Sequence, residues 1–354
     1  MQVISNKILN RFFIDCEIND IVRYGNGHIN NTYLVTTNNG KFILQQVNGN
    51  VFNIDNLVHN YQYLIEAVSA HGLSGKLFPD FMTDSSGFVH FIDTDETAWR
   101  KVKFIDHSSA YLTSPNISIT EKAGAAMGKF QLFLTKLDPQ NFKDTIPDFH
   151  NPECRLVEFN NALNNSDNLL NKTAEPEIKF ALKNKSIALK ISDIIKSGLL
   201  PVRITHNDTK LDNILFDNVN DHAYVIDLDT VMKGSILFDF GDMVRSITSG
   251  ALEDEIDLSK VAFNLDHFEA LCRGYLNKLK TVITPIEKAN LLSGALSIIY
   301  VQGLRFLTDY LSGSSYYKID YPNHNLIRCR TQFRLLEDIL NNKDAASCLI
   351  DYTN

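Results

Sequence analysis

Ile204-Thr205-His206-Asn207-Asp208-Thr209-Lys210-Leu211-Asp212-Asn213-Ile214-Leu215-Phe216-Asp217 is the stretch on which the reading of this chain turns. A polar segment sits between two apolar runs. Turn-prone Asn218-Val219-Asn220-Asp221 follows, and then His222-Ala223-Tyr224-Val225-Ile226-Asp227-Leu228-Asp229-Thr230. Two apolar strands joined by that turn predict a hairpin, with Asn213 just before the first strand and Asp227 at the end of the second. Both ends would face one edge, so an amide oxygen and a carboxylate could converge there. Hard oxygen donors of this kind suit Mg²⁺ holding nucleotide phosphates. Asp208 would project toward the same space from the preceding loop. Lys210 supplies a mobile point charge for a phosphoryl oxygen.

His-x-Asp-x-Lys-x-x-Asn, with a further Asp one hairpin later, is the layout of a protein-kinase-like catalytic loop. An ordinary Asn/Asp-rich turn uses the same residue types, but not in this order inside eight residues with a strand ending in Asp behind them. Asp229 lies one pleat from Asp227 and is a candidate second metal ligand. Asp239 and Asp242, in Phe238-Asp239-Phe240-Gly241-Asp242, are expected to cap a helix and brace the loop, with Arg245 as a partner. Glu253-Asp254-Glu255 reads as a solvated face.

Upstream, Asn30 to Thr37 and Lys41 to Val47 flank Asn38-Asn39-Gly40 and predict another hairpin. Just ahead of it, Gly25 and Gly27 can bring backbone N–H groups against phosphate oxygens. His28 beside them is a candidate substrate contact. Residues 54–70 have helical spacing, and strands are expected at 87–92 and 97–105. Beyond Asp106 the pattern turns helical: Ile119 to Leu137, with Gly124 and Gly128 spaced for close packing, then Pro152 to Leu199. Three further helices are expected between Leu265 and Leu340. The expected architecture is α+β and bilobal. A small antiparallel sheet with one helix occupies residues 1–103, and a larger, mainly helical lobe occupies residues 104–354.

The chain has 354 residues, with 34 Lys+Arg against 42 Asp+Glu for a net charge of −8. A surface of that sign repels polyphosphate backbones, and no basic run is present, which disfavours nucleic acid. The five cysteines are scattered without metal-ligand or disulfide-framework spacing. The N-terminus lacks the layout of a signal peptide. Ala289 to Leu304, the longest uncharged apolar stretch, is too short and too polar to span a bilayer. A soluble, cytoplasmic monomer is the expectation, with no membrane partner.

With these motifs the chain resembles the aminoglycoside-phosphotransferase and choline-kinase superfamily, and within it the N-acetylhexosamine 1-kinase branch. Further support comes from Phe42-Ile43-Leu44-Gln45-Gln46, Arg305-Phe306-Leu307-Thr308-Asp309-Tyr310-Leu311 and Tyr321-Pro322-Asn323-His324-Asn325-Leu326. The resemblance implies an ATP-dependent kinase acting on the anomeric hydroxyl of an N-acetylhexosamine. Asp208 would be the base, with Lys210 against the phosphate or the sugar, and Asn213 and Asp227 would hold Mg²⁺. Arg305, Tyr316 and His28 would contact the sugar, and Lys103 and Ile105 the adenine. One departure stands out: the strand that usually carries a Val-Ala-x-Lys lysine reads Leu44-Gln45-Gln46-Val47, as it does in that branch. A related kinase acting on choline, an aminoglycoside or another alcohol is the alternative. The missing lysine also raises a non-catalytic nucleotide binder, which the intact Asp208, Asn213 and Asp227 oppose.

Overall fold

The structure, a computed structural model, describes residues 4–25, 29–93 and 97–353. These fall into two compact units. Unit 1 holds the described residues up to Ser109, together with Gln140–Pro147 and Leu215–Met232. Unit 2 holds Ala110–Pro139, Asp148–Ile214 and the chain from Lys233 onward.

Unit 1 contains α1 (Asn6–Phe13), β1 (Ile18–Arg23), β2 (Asn31–Thr37), β3 (Gly40–Gln46), α2 (Ile54–Ala70), β4 (Phe81–Met82), β5 (Phe91–Ile92), β6 (Ala98–Lys103) and β7 (Ser108–Ser109). The first six strands form one antiparallel sheet in the order β1-β2-β3-β6-β4, with β5 on β6. Strand alternation sends successive side chains to opposite faces. Leu44 and Trp99 join Ile8, Phe12 and Phe13 of α1 in one core. Their neighbours Gln45 and Arg100, paired across β3 and β6, face the other way, where Tyr61 of α2 lies over the guanidinium.

The sequence reading put one helix on this sheet, and the structure has two. Helix α1 is short, but Ile8, Leu9, Phe12 and Phe13 carry a helical stripe that could have disclosed it. The strand expected at 87–92 shrinks to Phe91–Ile92. Asp84 Oδ1 accepts from the N–H groups of Ser86 and Phe88 and bends the chain through Gly87 at φ +84°.

The compact units also divide differently from the expected 1–103 and 104–354. Residues 140–147 belong to unit 1 because Asn60 donates to Lys143 O (2.7 Å) and Thr145 Oγ1 donates to Asp229 O (2.8 Å). The hairpin of β9 (Ile214–Asp217) and β10 (His222–Val225) belongs with unit 1 through pairing of β9 with β7.

Unit 2 is built of α3 (Ile117–Leu134), α4 (Pro152–Asn165), α5 (Asn168–Thr173), α6 (Glu175–Lys196), α7 (Ile236–Ile247), α8 (Leu265–Leu279), α9 (Pro285–Leu311), α10 (His324–Asn341) and α11 (Lys343–Tyr352). Strand β8 (Arg203–Thr205) pairs with β11 (Met232–Gly234), at which the chain re-enters this unit. Asn116 caps α3, not Ser118 or Thr120. Gly124 and Gly128 do seat α3 on a neighbour: a Cβ there would come within 2.7 Å of Leu271 O and 2.8 Å of Tyr275 O. Gly274 of α8 answers from the other side, where a Cβ would lie 2.2 Å from Glu121 O.

Helix α9 starts with a Thr284–Glu287 capping box and packs against α7, α10, α6 and α4. It is long and apolar enough to cross a membrane by length and composition alone, yet two thirds of its apolar window is buried among these helices. All five cysteines are free thiols.

Candidate active site

Strand β8 delivers the chain into the loop at 206–213, and α7 holds that loop by its main chain. Asp239, in the first turn of α7, accepts from the N–H groups of His206 (2.9 Å) and Asn207 (2.8 Å). Its own carbonyl accepts from Thr209 Oγ1 (2.6 Å). Helix α7 is fixed on α9 by a close backbone approach, since a Cβ at Gly294 would stand 2.6 Å from Leu237 O. Asn207 sits at φ +65°, a left-handed geometry that asparagine tolerates better than most residues. Its carbonyl lies 2.7 Å from His150 Nε2, which therefore carries the proton. The expected brace is present and Asp242 pairs with Arg245 (2.7 Å), but the cap of α7 is Ser235 and neither acid. The acidic run at 253–255 is not a solvated face: Glu253 pairs with Arg245 (2.7 Å), and Asp254 lies 3.2 Å from His324.

Within this frame Asp208, Lys210 and Asn213 are brought together. Asn213 Nδ2 donates to Asp208 O (2.8 Å) and to Asp208 Oδ2 (2.7 Å). Lys210 Nζ lies 3.6 Å from the carboxylates of both Asp208 and Asp212. Burial by itself raises the Asp208 carboxyl, but Lys210, His206 and the Asn213 amide outweigh it and hold the group below the ordinary carboxylate range. Asp208 is therefore an anion at neutral pH, fixed in direction by an amide and flanked by a cation. Both hydrogens of Asn213 Nδ2 are committed to Asp208, so the amide oxygen remains as its hard donor. That chemistry fits a divalent cation which keeps waters and phosphate oxygens for its other positions. Among the described residues no group of three or more His, Cys, Asp and Glu gathers into an all-protein metal cage.

Asp227 lies in unit 1, just past β10, at φ +58°. The expectation that Asp229 could be a second metal ligand is corrected by its contacts. Its Oδ1 takes an ion pair from Arg100 and a hydrogen bond from Tyr61 Oη (2.8 Å). Its Oδ2 accepts from Asn30 Nδ2 (2.5 Å). With Arg100 balancing its charge, donors on both oxygens and only 1 % of the residue exposed, Asp229 serves the protein's own network rather than a cation.

Arg100 was not among the residues singled out from sequence. In Ala98-Trp99-Arg100-Lys101-Val102-Lys103 three basic residues stand close together with little to mark Arg100 among them, so no clear signal was available.

Of the other expected contacts, Gly25 is left-handed at φ +74° with open space where a Cβ would be, while Gly27 and His28 lie outside the described residues. At the expected hinge, the Lys103 N–H is taken by Asp80 O (2.9 Å), and the Ile105 carbonyl accepts from Ser108 Oγ (2.7 Å). A carbonyl has two lone pairs, so Ile105 can still accept. The Arg305 guanidinium is surrounded by the rings of Phe149, Tyr317 and Tyr316 at 5.3, 5.6 and 5.9 Å. Arg305 forms no ion pair among the described residues, and its Nη1 donates to Gln302 Oε1 at 3.2 Å.

The profile of the phosphotransferase enzyme family (APH) matches residues 20–272, a span that includes the whole loop and both aspartates of the turn. The chain belongs to this family. The fold of this phosphotransferase is shared by solved kinases of low sequence identity. A microcompartment-associated aminopropanol kinase is 15 % identical with a TM-score of 0.66, over 96 % of this chain and 97 % of that one. Choline kinase LicA from Streptococcus pneumoniae is 12 % identical with a TM-score of 0.57, over 91 % and 94 %. A spectinomycin phosphotransferase, APH(9)-Ia, solved with ADP and its antibiotic, is 13 % identical with a TM-score of 0.59, over 100 % and 99 %. The phosphotransferase therefore has the protein-kinase-like α+β fold of its family, with an antiparallel sheet toward the N-terminus and helices toward the C-terminus.

Proposed function

We propose that this phosphotransferase transfers the γ-phosphoryl group of ATP to a hydroxyl of an uncharged small molecule, the anomeric hydroxyl of an N-acetylhexosamine. The observation that carries the reading is the lock between Asp208, Asn213 and Lys210. Phosphoryl transfer asks a protein to position reactants and neutralise charge more than to form bonds of its own. Asp208 orients the acceptor hydroxyl and takes its proton as the new O–P bond forms and ADP departs. A carboxylate held below the usual range serves here, because the proton leaves the oxygen late in the transfer. Lys210 meets the charge on the transferred group. By the sequence resemblance, Asn213 through its amide oxygen and Asp227 through its carboxylate are the residues that would hold Mg²⁺, which when bound would neutralise phosphate oxygens. By the same resemblance, Gly25 and Gly27 are the residues that would give main-chain donors to those oxygens, and Ile105 would give its carbonyl to the adenine amino group. ATP as donor also favours a cytoplasmic location.

The acceptor class is supported by Arg305. An aromatic cage that recognises a quaternary ammonium leaves its centre open for the ligand. Here the protein's own guanidinium fills the space between Phe149, Tyr316 and Tyr317. That favours a neutral acceptor hydrogen-bonded by Arg305 and stacked on Tyr316, which is 58 % exposed. The choice of an N-acetylated sugar rests on the sequence resemblance. Incubation with MgATP and a panel of N-acetylglucosamine, N-acetylgalactosamine, choline and kanamycin tests it, with phosphorus NMR of each product. The expected result is ADP release with an N-acetylhexosamine and phosphate on its anomeric oxygen. Turnover of choline or kanamycin alone would replace the sugar reading with the related-kinase one.

A further inference from the structure

We infer that Arg100 and Asp229 form a positioning pair that fixes the turn carrying Asp227 and, from the strand beside Gln45, replaces the anchor that a strand lysine would provide. The inference rests on the proposed nucleotide reading and concerns residues of unit 1 only. Arg100 is 1 % exposed. Its Nε donates to Gln45 Oε1 (2.9 Å), its Nη1 pairs with Asp229, and the rings of Tyr61 and Phe81 lie 4.8 and 5.8 Å from its guanidinium carbon. Asp229 is further held by Tyr61 Oη, by Asn30 Nδ2 and, at its carbonyl, by Thr145 Oγ1. Four side chains from separate segments thus converge on a residue two positions beyond Asp227. Gln45 and Arg100 are direct cross-strand partners. The strand that lacks the lysine is therefore the one that grips the arginine.

Two physical consequences follow. First, the turn cannot relax freely: Asp227 holds a left-handed φ of +58°, which costs a non-glycine residue of order 1 kcal/mol and persists only where the surroundings over-determine it. Second, the two carboxylates are divided in role. Arg100 is ion-paired with Asp229 and feels the charge of Asp227 less strongly, so Asp229 is the carboxylate of this turn committed to the arginine. A fork-shaped cation suits the task, since it engages Gln45 and Asp229 at once, whereas a lysine ammonium is a point charge.

The test separates positioning from simple structural support. Replacing a buried ion pair by apolar groups of similar volume is often neutral for stability, whereas removing one partner is not. The double variant Arg100→Met/Asp229→Leu and the single variant Arg100→Lys are compared with the natural chain. The readouts are melting temperature and calorimetric binding of a non-hydrolysable ATP analogue as Mg²⁺ is varied. The expected result for the double variant is a folded protein whose melting temperature falls only by the hydrogen bonds that Tyr61, Asn30 and Gln45 lose. Its half-saturating Mg²⁺ should rise at least about tenfold, roughly 1.4 kcal/mol. Arg100→Lys should show a smaller rise in the same direction, and it carries the test if the double variant does not fold. Unchanged Mg²⁺ dependence in a folded variant overturns the positioning role and leaves the kinase reading standing. Failure of the natural chain to bind the analogue with Mg²⁺ overturns both.

Discussion

The loop at 206–213 and the turn at 227–229 each bend through one left-handed residue, Asn207 at φ +65° and Asp227 at φ +58°, and each depends on one buried acid. The acids behave oppositely. Asp239 meets two main-chain N–H groups, and burial pushes its carboxyl up to about 7. Asp229 is buried at least as deeply, yet the Arg100 charge and the donors around it hold its carboxyl below the ordinary range. A neutral hydrogen bond contributes about 1 kcal/mol net. A charge at 4 Å contributes about 4 kcal/mol at an effective dielectric constant near 20. One well-placed cation therefore decides the sign. The loop is clamped by its backbone, at the N–H groups of His206 and Asn207. The turn is clamped by a side chain, so its geometry depends on a residue 129 positions earlier.

Breaking the chemistry of each region gives the largest effects. Asp208→Asn should lower kcat by about 10²–10⁴, the usual range for a lost general base, while calorimetric nucleotide affinity stays as it was. Near-natural turnover would remove Asp208 from the role. Asp227→Ala should do the reverse at the level of binding, abolishing Mg²⁺-dependent uptake of ATP in the calorimeter.

Breaking the clamp of the loop comes next. Asp239→Ala leaves the His206 and Asn207 N–H groups buried without acceptors, at about 1–3 kcal/mol each. A denaturant midpoint and kcat should fall together, and if kcat holds while stability drops, the clamp does not position Asp208.

The smallest contrast is in pH. Each region has a buried neutral histidine nearby: His90 in unit 1, whose ring nitrogens have no hydrogen-bond partner among the described residues, and His150 in unit 2, whose Nδ1 has none among them. Burial lowers His90 from 6.5 to about 3 and His150 from 6.5 to about 4. Between those values and 6.5 the unfolded chain binds more protons. The histidine contributions should therefore be complete above pH 6.5 and decline as pH falls toward 4, by about 1.4 kcal/mol per pH unit each. They act against an opposite slope from Asp239, whose raised carboxyl loses its contribution as pH rises toward 7. His90→Phe should flatten the histidine slope by the His90 share in urea titrations across the window.

Much of this was legible in the chain itself. The order of polar types from His206 to Asn213 disclosed the loop, and Asp239 could be read as its brace because an acid at the start of an apolar helix has few other uses. The spacing of Gly124 and Gly128 foretold a close helix contact. Residues whose meaning depends on register across strands stayed hidden. Nothing local tells that Gln45 faces Arg100, or that Asp229 points at both Arg100 and Tyr61, since these lie 55, 129 and 168 positions apart. The same limit made Asp229 look like a ligand, because alternation along a strand is visible in sequence and an ion pair from another strand is not. The return of 140–147 and 215–232 to unit 1 was equally out of reach, being fixed by single hydrogen bonds and a two-residue strand.

The glycine seam between α3 and α8 has a consequence for how this fold can vary. Where backbones touch with no side chain between them, three positions must stay in phase along both helices. One inserted residue in either would rotate everything beyond it by about 100° and turn a Cβ into a carbonyl oxygen. Length changes in unit 2 are thereby steered to the connections between helices, so that new acceptor preferences would arise from loops while the frame under the catalytic loop keeps its count.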